Sequence, residues 1–247
     1  MFNEKNPRGK SPETRGHILR AAIDIFRVRG LEGTTMREIA GASGVALGAA
    51  YYYFSSKEAI IQAYYDEVQA EHLRRIRAAL AAGKPDLKAR LLAAFHTKLD
   101  ILQGDRKLLG ALFRFTAEPE HPLSAFGAST KRVREQSFEI ISTAIGEERL
   151  PQDIRQILPM GLWVLQMGVL LYFIYDESEG QRRTRKLVDG AIALFVRVLG
   201  LARLAVLKPV RGSVFALLRD AGLVPEASSN DGRKKEFSST GTLPQEE

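Results

Sequence analysis

The chain has 247 residues and no cysteine. Disulfides, thiolate metal sites and thiol nucleophiles are therefore excluded, and the composition is compatible with a reducing cytosol. Histidine is scarce. His17, His72, His96 and His121 are scattered, with no pair at metal-helix spacing, no HExxH and no calcium loop, so no metal is expected. His96 beside Phe95 reads as a helix-surface or satisfied core histidine. The glycine-rich stretch from Gly41 to Gly48 follows no strand and precedes no Gly-Lys-Ser/Thr, which makes it a turn and not a phosphate loop. Paired Glu-x-x-His motifs and a nucleophile elbow are also missing, so neither an enzyme nor a cofactor is indicated. The opening MFNEKNPRGKSPETRG has no apolar run and does not read as a signal peptide.

What is present is helix. Strand signals are weak, and 3.6-residue patterns dominate, which predicts an all-α protein. The apolar share of 45% is enough for a core. A formal charge of +7 permits a nucleic-acid partner without requiring one. Pro12 to Arg29 places Ile18, Ala22, Ile25 and Phe26 on one face, and Gly30 stops that helix. Thr35-Met36-Arg37-Glu38 is a capping box that opens a second helix, which ends by Gly44. A third runs from about Ala46 to Phe54. Ser55-Ser56-Lys57-Glu58 reads as another box, opening a fourth helix over 56–82. Longer helices follow over 85–103, 106–116, 122–145, 152–176 and 179–204, with a short one over 209–223. The tail over 224–247 is rich in Ser, Gly and charge and is expected to be disordered. The domains are expected as an arm over 1–12, a unit of short helices over 13–60, and a larger unit of long helices over 61–223.

Two short helices joined by Gly41-Ala42-Ser43-Gly44-Val45 form a helix-turn-helix. In that motif the second helix enters the major groove while the first braces it and touches backbone. Ile39, Ala40, Val45 and Ala50 can pack the angle. Thr34, Thr35 and Arg37 can meet one phosphate, and Lys57 another. Three consecutive tyrosines, Tyr51, Tyr52 and Tyr53, span about 300° of helical arc, so at least one must face out of the core.

The order of these parts is more specific than the motif. Thr14 to Ile61 contains ILRAA, the Phe26 position, Gly30, TTMREIA, the A-x-GV turn, Gly48, a Tyr-x-x-Phe end and SKE. This segment closely resembles the DNA-binding domain of the tetracycline-repressor (TetR) family, over about a fifth of the chain. The resemblance implies a cytoplasmic homodimeric regulator, usually a repressor. It would bind a roughly palindromic double-stranded operator and be released by a small-molecule effector. It also assigns roles: Thr34, Thr35, Tyr51, Tyr52 and Lys57 to the DNA backbone, and Leu47, Gly48, Ala49 and Tyr53 to the bases. The chain departs from the family pattern at three places. Ala46 stands where Ser or Thr often opens the recognition helix, Ala50 where a larger apolar residue is usual, and Tyr53 where His is frequent. With no polar side chain between Gly44 and Ala50, readout is expected through methyl contacts, shape and tyrosine, with few bidentate base bonds.

In the second domain Phe95, Phe113, Trp163, Gln166 and Met167 are candidates to line an effector cavity, since such sites are mostly apolar with few polar groups. Ile157 to Tyr175 is an uncharged run of 19 residues. A membrane span wants about 20, but Pro159, a central Gln166 and acidic flanks favour a helix buried in a core or an interface. Leu187, Ala191, Leu194, Phe195, Val198 and Ala202 form one apolar face of the final long helix. Pairing the last two long helices, about 152–176 and 179–204, with their copies in a second subunit would cover these sides.

Overall fold

The computed structural model describes residues 11–223, so the expected disordered tail and all but the last residues of the expected arm lie outside the described residues. Among the described residues the chain is all-helical. The helices are α1 (Pro12–Arg29), α2 (Met36–Ala42), α3 (Leu47–Tyr53), α4 (Lys57–Ala81), α5 (Leu87–Leu102), α6 (Arg106–Thr116), α7 (Lys131–Ile145), α8 (Gln152–Tyr175), α9 (Arg182–Ala202) and α10 (Lys208–Asp220).

The helix starts follow the local side-chain chemistry. Glu38 N–H donates to Thr35 Oγ1 at 3.2 Å and Thr35 N–H donates to Glu38 Oε2 at 2.8 Å, closing the expected capping box on α2. The second expected box is not formed. Because α4 begins at Lys57, its cap is Ser56, whose Oγ accepts from Ala59 N–H at 3.2 Å. Asp86 caps α5 in the same way, accepting from Ala89 N–H at 2.7 Å. Pro122 does not open a helix either. Residues 118–130 are a chain of turns, with Ser124 N–H donating to His121 O and the Thr130 hydroxyl donating to Ser124 O, and α7 starts only at Lys131.

Helices α1 to α3 and the start of α4 share a core of Ile18, Leu19, Ala22, Phe26, Ile39, Ala50, Phe54 and Ile60, all nearly inaccessible. The larger domain packs α4 to α9 around Leu91, Phe95, Leu99, Leu112, Ile140, Leu162, Phe173 and Ile192. The expected boundary after residue 60 falls inside α4. Ile60 and Ile61 are both fully buried, and α4 packs on α1 at one end and on α5 and α7 farther along. The two domains therefore share one unbroken helix, about 37 Å long at 1.5 Å per residue.

Helix α9 does not turn the apolar face read from the sequence into the bundle of its own chain. It buries Thr184, Val188, Ile192 and Leu199, while Leu187, Leu194 and Val198 stand 45%, 62% and 54% exposed. Asp176 fixes its entry: the carboxylate accepts from the backbone and hydroxyl groups of Ser178 and Thr184. Burial opposes ionisation there, yet these hydrogen bonds hold the carboxyl well below its usual range. Helix α8 is long and apolar enough to cross a membrane. One side of it, however, carries Leu158, Leu162, Trp163, Gln166 and Phe173 into the bundle.

His72 lies inside this bundle, and its Nε2–H donates to Ala94 O at 2.8 Å. Burial, followed by the nearby Lys98 charge, pushes its pKa down to about 3. The folded state thus excludes a proton that the unfolded state accepts near pH 6.5. Stability contributed by neutral His72 is complete above pH 6.5 and is lost as pH falls from there toward 3. Chemical denaturation between pH 6.5 and 4.5 should show a slope of up to about 1.4 kcal/mol per pH unit that His72→Gln flattens. An unchanged slope in the variant would assign it to other groups.

Candidate nucleic-acid interface and effector cavity

The angle between α2 and α3 is set by Gly44, whose φ of +65° a side-chain-bearing residue rarely adopts. Val45 N–H then donates to Ala40 O at 3.0 Å, closing the turn. Ala46 caps α3 without any side-chain hydrogen bond. Ala50 is fully buried against the core, and Val45, Leu47 and Tyr53 pack partly on it. That leaves Gly48, Tyr51 and Tyr52 on the outward face, with the two tyrosines 51% and 56% exposed. A Cβ added at Gly48 would meet nothing within 4 Å, so the chain's own packing does not require glycine there.

The structure sorts the sequence candidates. Thr35 and Arg37 are exposed beside α3, although the Thr35 hydroxyl is engaged with Glu38. Ala49 is half-buried at the edge of the outward face. Thr34 is 1% exposed and its hydroxyl donates to Gly30 O at 2.8 Å, so it braces the end of α1. Lys57 Nζ donates to Leu31 O at 2.6 Å, tying α4 to the same corner. Tyr53 turns inward, its Oη accepting from Ser11 N–H at 3.1 Å, and its ring meets Tyr52 edge-on. Leu47 serves the core as well as the helix start. Of the three tyrosines, then, two face outward and one anchors the start of α1.

A second site lies within the larger domain. A cavity of about 120 Å³ opens among α4 to α8, walled by Leu109, Leu112, Phe113, Val133, Trp163 and Met167 and by several polar groups. Phe113, Trp163 and Met167 occupy the wall as the sequence reading placed them. Phe95 does not: at 1% exposure it is core, one helical turn from the wall residue Lys98. Gln166 is also outside the wall, buried with Nε2 lacking a partner among the described residues.

The polar wall residues are the ones sequence reading missed. Lys98 is 6% exposed, and its Nζ donates to Gln69 Oε1 at 2.8 Å. Gln69 Nε2 in turn donates to Ser137 Oγ and, at 3.3 Å, to Val133 O. Their signal was in the pattern: Leu91, Ala94, Phe95, Leu99 and Leu102 form a buried stripe, and Lys98 sits seven residues after Leu91 on the same face. Tyr64, another wall residue, donates from Oη to Asp105 Oδ2 at 2.7 Å. Asp105 Oδ1 accepts from Arg27 Nε of α1 at 2.6 Å. Through one carboxylate, the cavity wall touches the helix-turn-helix domain.

A small helix-turn-helix unit with an outward tyrosine face, joined by a shared helix to a bundle with an internal cavity, defines a two-domain DNA-binding regulator fold. Residues 18–64 match the family described as bacterial regulatory proteins of the tetR family, and residues 90–213 match the tetracyclin repressor-like C-terminal domain. The chain belongs to the TetR family, whose members are transcriptional regulators and not enzymes. It is 33% identical to the HTH-type transcriptional regulator TtgR of Pseudomonas putida over 82 residues, which is 33% of this chain and 39% of TtgR. It is also 33% identical to the transcriptional repressor KstR2 of Rhodococcus jostii over 118 residues, covering 44% of this chain and 57% of that one. The matches thus span about half the length of these relatives or less. Among solved structures, a TetR regulator from Nitrosomonas europaea aligns over 74% of this chain and 97% of its own, with a TM-score of 0.60 at 20% identity. Thermus thermophilus FadR, a repressor solved with lauroyl-CoA, aligns over 74% and 93% with a TM-score of 0.54 at 20% identity.

Gly48 offers a clean test of the outward face. Gly48→Ala should leave thermal stability unchanged or raise it by up to about 1 kcal/mol, since Ala is the better helix former. The same change should weaken binding to a selected DNA duplex, measured by fluorescence anisotropy. Unaltered DNA affinity would remove Gly48 from the interface.

Proposed function

We propose that this protein is a homodimeric repressor that binds a palindromic DNA operator through α3 and is released when a small apolar or amphipathic effector fills the cavity of the larger domain. The observation that carries the DNA reading is the outward face of α3. Gly48, Tyr51 and Tyr52 are exposed, and an α-helix fits the major groove. A helix without a Cβ at Gly48 can approach the groove floor closely. Ala49 beside it can favour thymine methyl groups, and the tyrosine hydroxyls, Thr35 and Arg37 can hold the phosphates. Thr34 and Lys57 support this surface from beneath. The protein would act in the cytoplasm, where its operator is. Selection of bound sequences from random duplexes should return a two-fold symmetric site. Affinity for that site should fall with salt at a log–log slope of about −0.9 per phosphate contacted. A flat salt response, or equal binding to any duplex, would refute the reading.

Dimerisation supplies the fixed spacing that two half-sites require. Exposed apolar residues run along one side of α8 at Val164, Leu171 and Tyr175, with Gly161 and Gly168 at the same helical spacing. They run along α9 at Leu187, Leu194, Val198 and Leu201. The two helices are packed neighbours, so together they form one face of the kind that a four-helix interface covers. Leu194→Glu places a charge on this face without entering the core. Sedimentation should then show a monomer, with operator binding lost and the helical circular-dichroism signal retained. A variant that stays dimeric would move the interface elsewhere.

Release follows from a population shift in which the effector favours a conformation whose α3 helices are wrongly spaced for DNA. The route from cavity to DNA domain runs through Tyr64, Asp105 and Arg27 and along α4. Asp105→Asn keeps the shape but removes the charge that holds both partners, and such charge-assisted bonds contribute about 1.5–3 kcal/mol. Arg27 is half-exposed, which places its share at the low end. The variant should still bind effector, while the effector's influence on operator affinity shrinks several-fold. Unchanged coupling would exclude this route.

A further inference from the structure

The cavity has a polarity that its apolar lining conceals. Lys98 and Arg134 both lie on its wall, and no Asp or Glu does. Among the described residues, Lys98 Nζ has one hydrogen-bond partner, the neutral Gln69 Oε1, and no carboxylate within ion-pair distance. Arg134 donates only to the carbonyl oxygens of Ala125 and Gly127. A buried ammonium with no counter-ion is costly, and an anion delivered to it in a low-dielectric site is correspondingly well held. The apolar wall is compact: a cavity of about 150 Å³ accommodates benzene, and this one measures about 120 Å³.

We propose that the cavity binds a small amphipathic monocarboxylate, its carboxylate on Lys98 and its compact apolar body, about one aromatic ring, against Leu112, Phe113, Trp163 and Met167. This assignment rests on the effector reading above and sharpens it. Gln69 and Ser137 position the ammonium, since Gln69 spends its amide on Ser137 and Val133 and its carbonyl on Lys98.

The surroundings of Lys98 give the binding a pH signature. Helix α4 brings Tyr64, Tyr65 and His72 toward it, and α7 brings Arg134. The wall residues from α6 and α8 are not ionisable. On the other side of α5, which α9 covers, His96 pairs with Asp189 and Asp100 with Arg185. Burial lowers the Lys98 pKa to about 7 in the empty protein. A bound carboxylate favours the ammonium and raises that pKa, so binding takes up a proton above pH 7. Carboxylate affinity should therefore be constant below pH 7 and fall with rising pH above it, by up to about tenfold per unit.

Trp163 is the chain's one tryptophan and lies on the wall, so its emission reports occupancy directly. Phenylacetate, neutral phenylacetamide and cationic phenethylamine can be titrated into the full-length protein at pH 6.5 and 8.5. The expected result is phenylacetate tighter than phenylacetamide by roughly tenfold or more at pH 6.5. That advantage should shrink at pH 8.5, and phenethylamine should be the weakest. Lys98→Met should abolish the acid's advantage and its pH dependence while phenylacetamide still quenches Trp163, which shows the cavity intact. Equal affinities for acid and amide, or a preference that survives in Lys98→Met, would overturn the carboxylate assignment and leave the effector reading standing. No response to any of the three probes would overturn both.

Discussion

Asp105 is a buried joint between the two domains, which the Arg114–Glu32 ion pair also links. Its carboxylate is buried, and each oxygen has a different partner: the Arg27 guanidinium from the DNA-binding domain and the Tyr64 hydroxyl from the cavity wall. The Arg27 pKa is raised chiefly by its hydrogen bond to Asp105, and burial followed by the bond to Asp105 raises that of Tyr64. Beside this joint runs α4, a single helix anchored at Lys57 to the DNA-binding corner and lined by Tyr64, Val68 and Gln69 where it passes the cavity. A rigid helix, the shared Asp105 charge and the Arg114–Glu32 ion pair give the two domains few independent ways to move. That is the physical setting in which the proposed effector's preference for one arrangement would become a change at α3.

The same economy appears within each site. In the helix-turn-helix, packing uses Ala50, Leu47 and Tyr53, and what remains outward is Gly48, Tyr51 and Tyr52. A small buried Ala50 lets α3 lie close to its core. In the cavity, apolar bulk comes from α6 and α8, and charge comes from α5 and α7. Helices α8 and α9 carry their exposed leucines and valines on sides other than those that enter the bundle.

Local chemistry made much of this legible in the sequence. The first helix, the capping box at Thr35, the glycine turn and the third helix depend on neighbours a few residues apart, and the spacing of those residues was enough to place them. The resemblance over Thr14 to Ile61 added family roles, and the geometry gives three of those residues a structural contact as well: Thr34 holds Gly30, Lys57 holds Leu31, and Tyr53 holds Ser11. The second domain was legible as helices but less so as a site. Phe113, Trp163 and Met167 were found because aromatic and sulfur-bearing residues mark cavities, whereas Phe95 carries the same signal and fills core instead.

The sequence by itself determined the all-helical class, the position of the recognition helix and the apolar nature of the last two long helices, since periodicity and capping are properties of adjacent residues. Only tertiary structure decided where those helices point. A helix with apolar residues on more than one side has no local reason to choose a side. Burial of Val188 and Ile192 rather than Leu194 and Val198 follows from contact with α5. The charge of the cavity was likewise set by distant partners. Lys98, Gln69 and Ser137 come from three helices, and no spacing along the chain announces that their side chains meet.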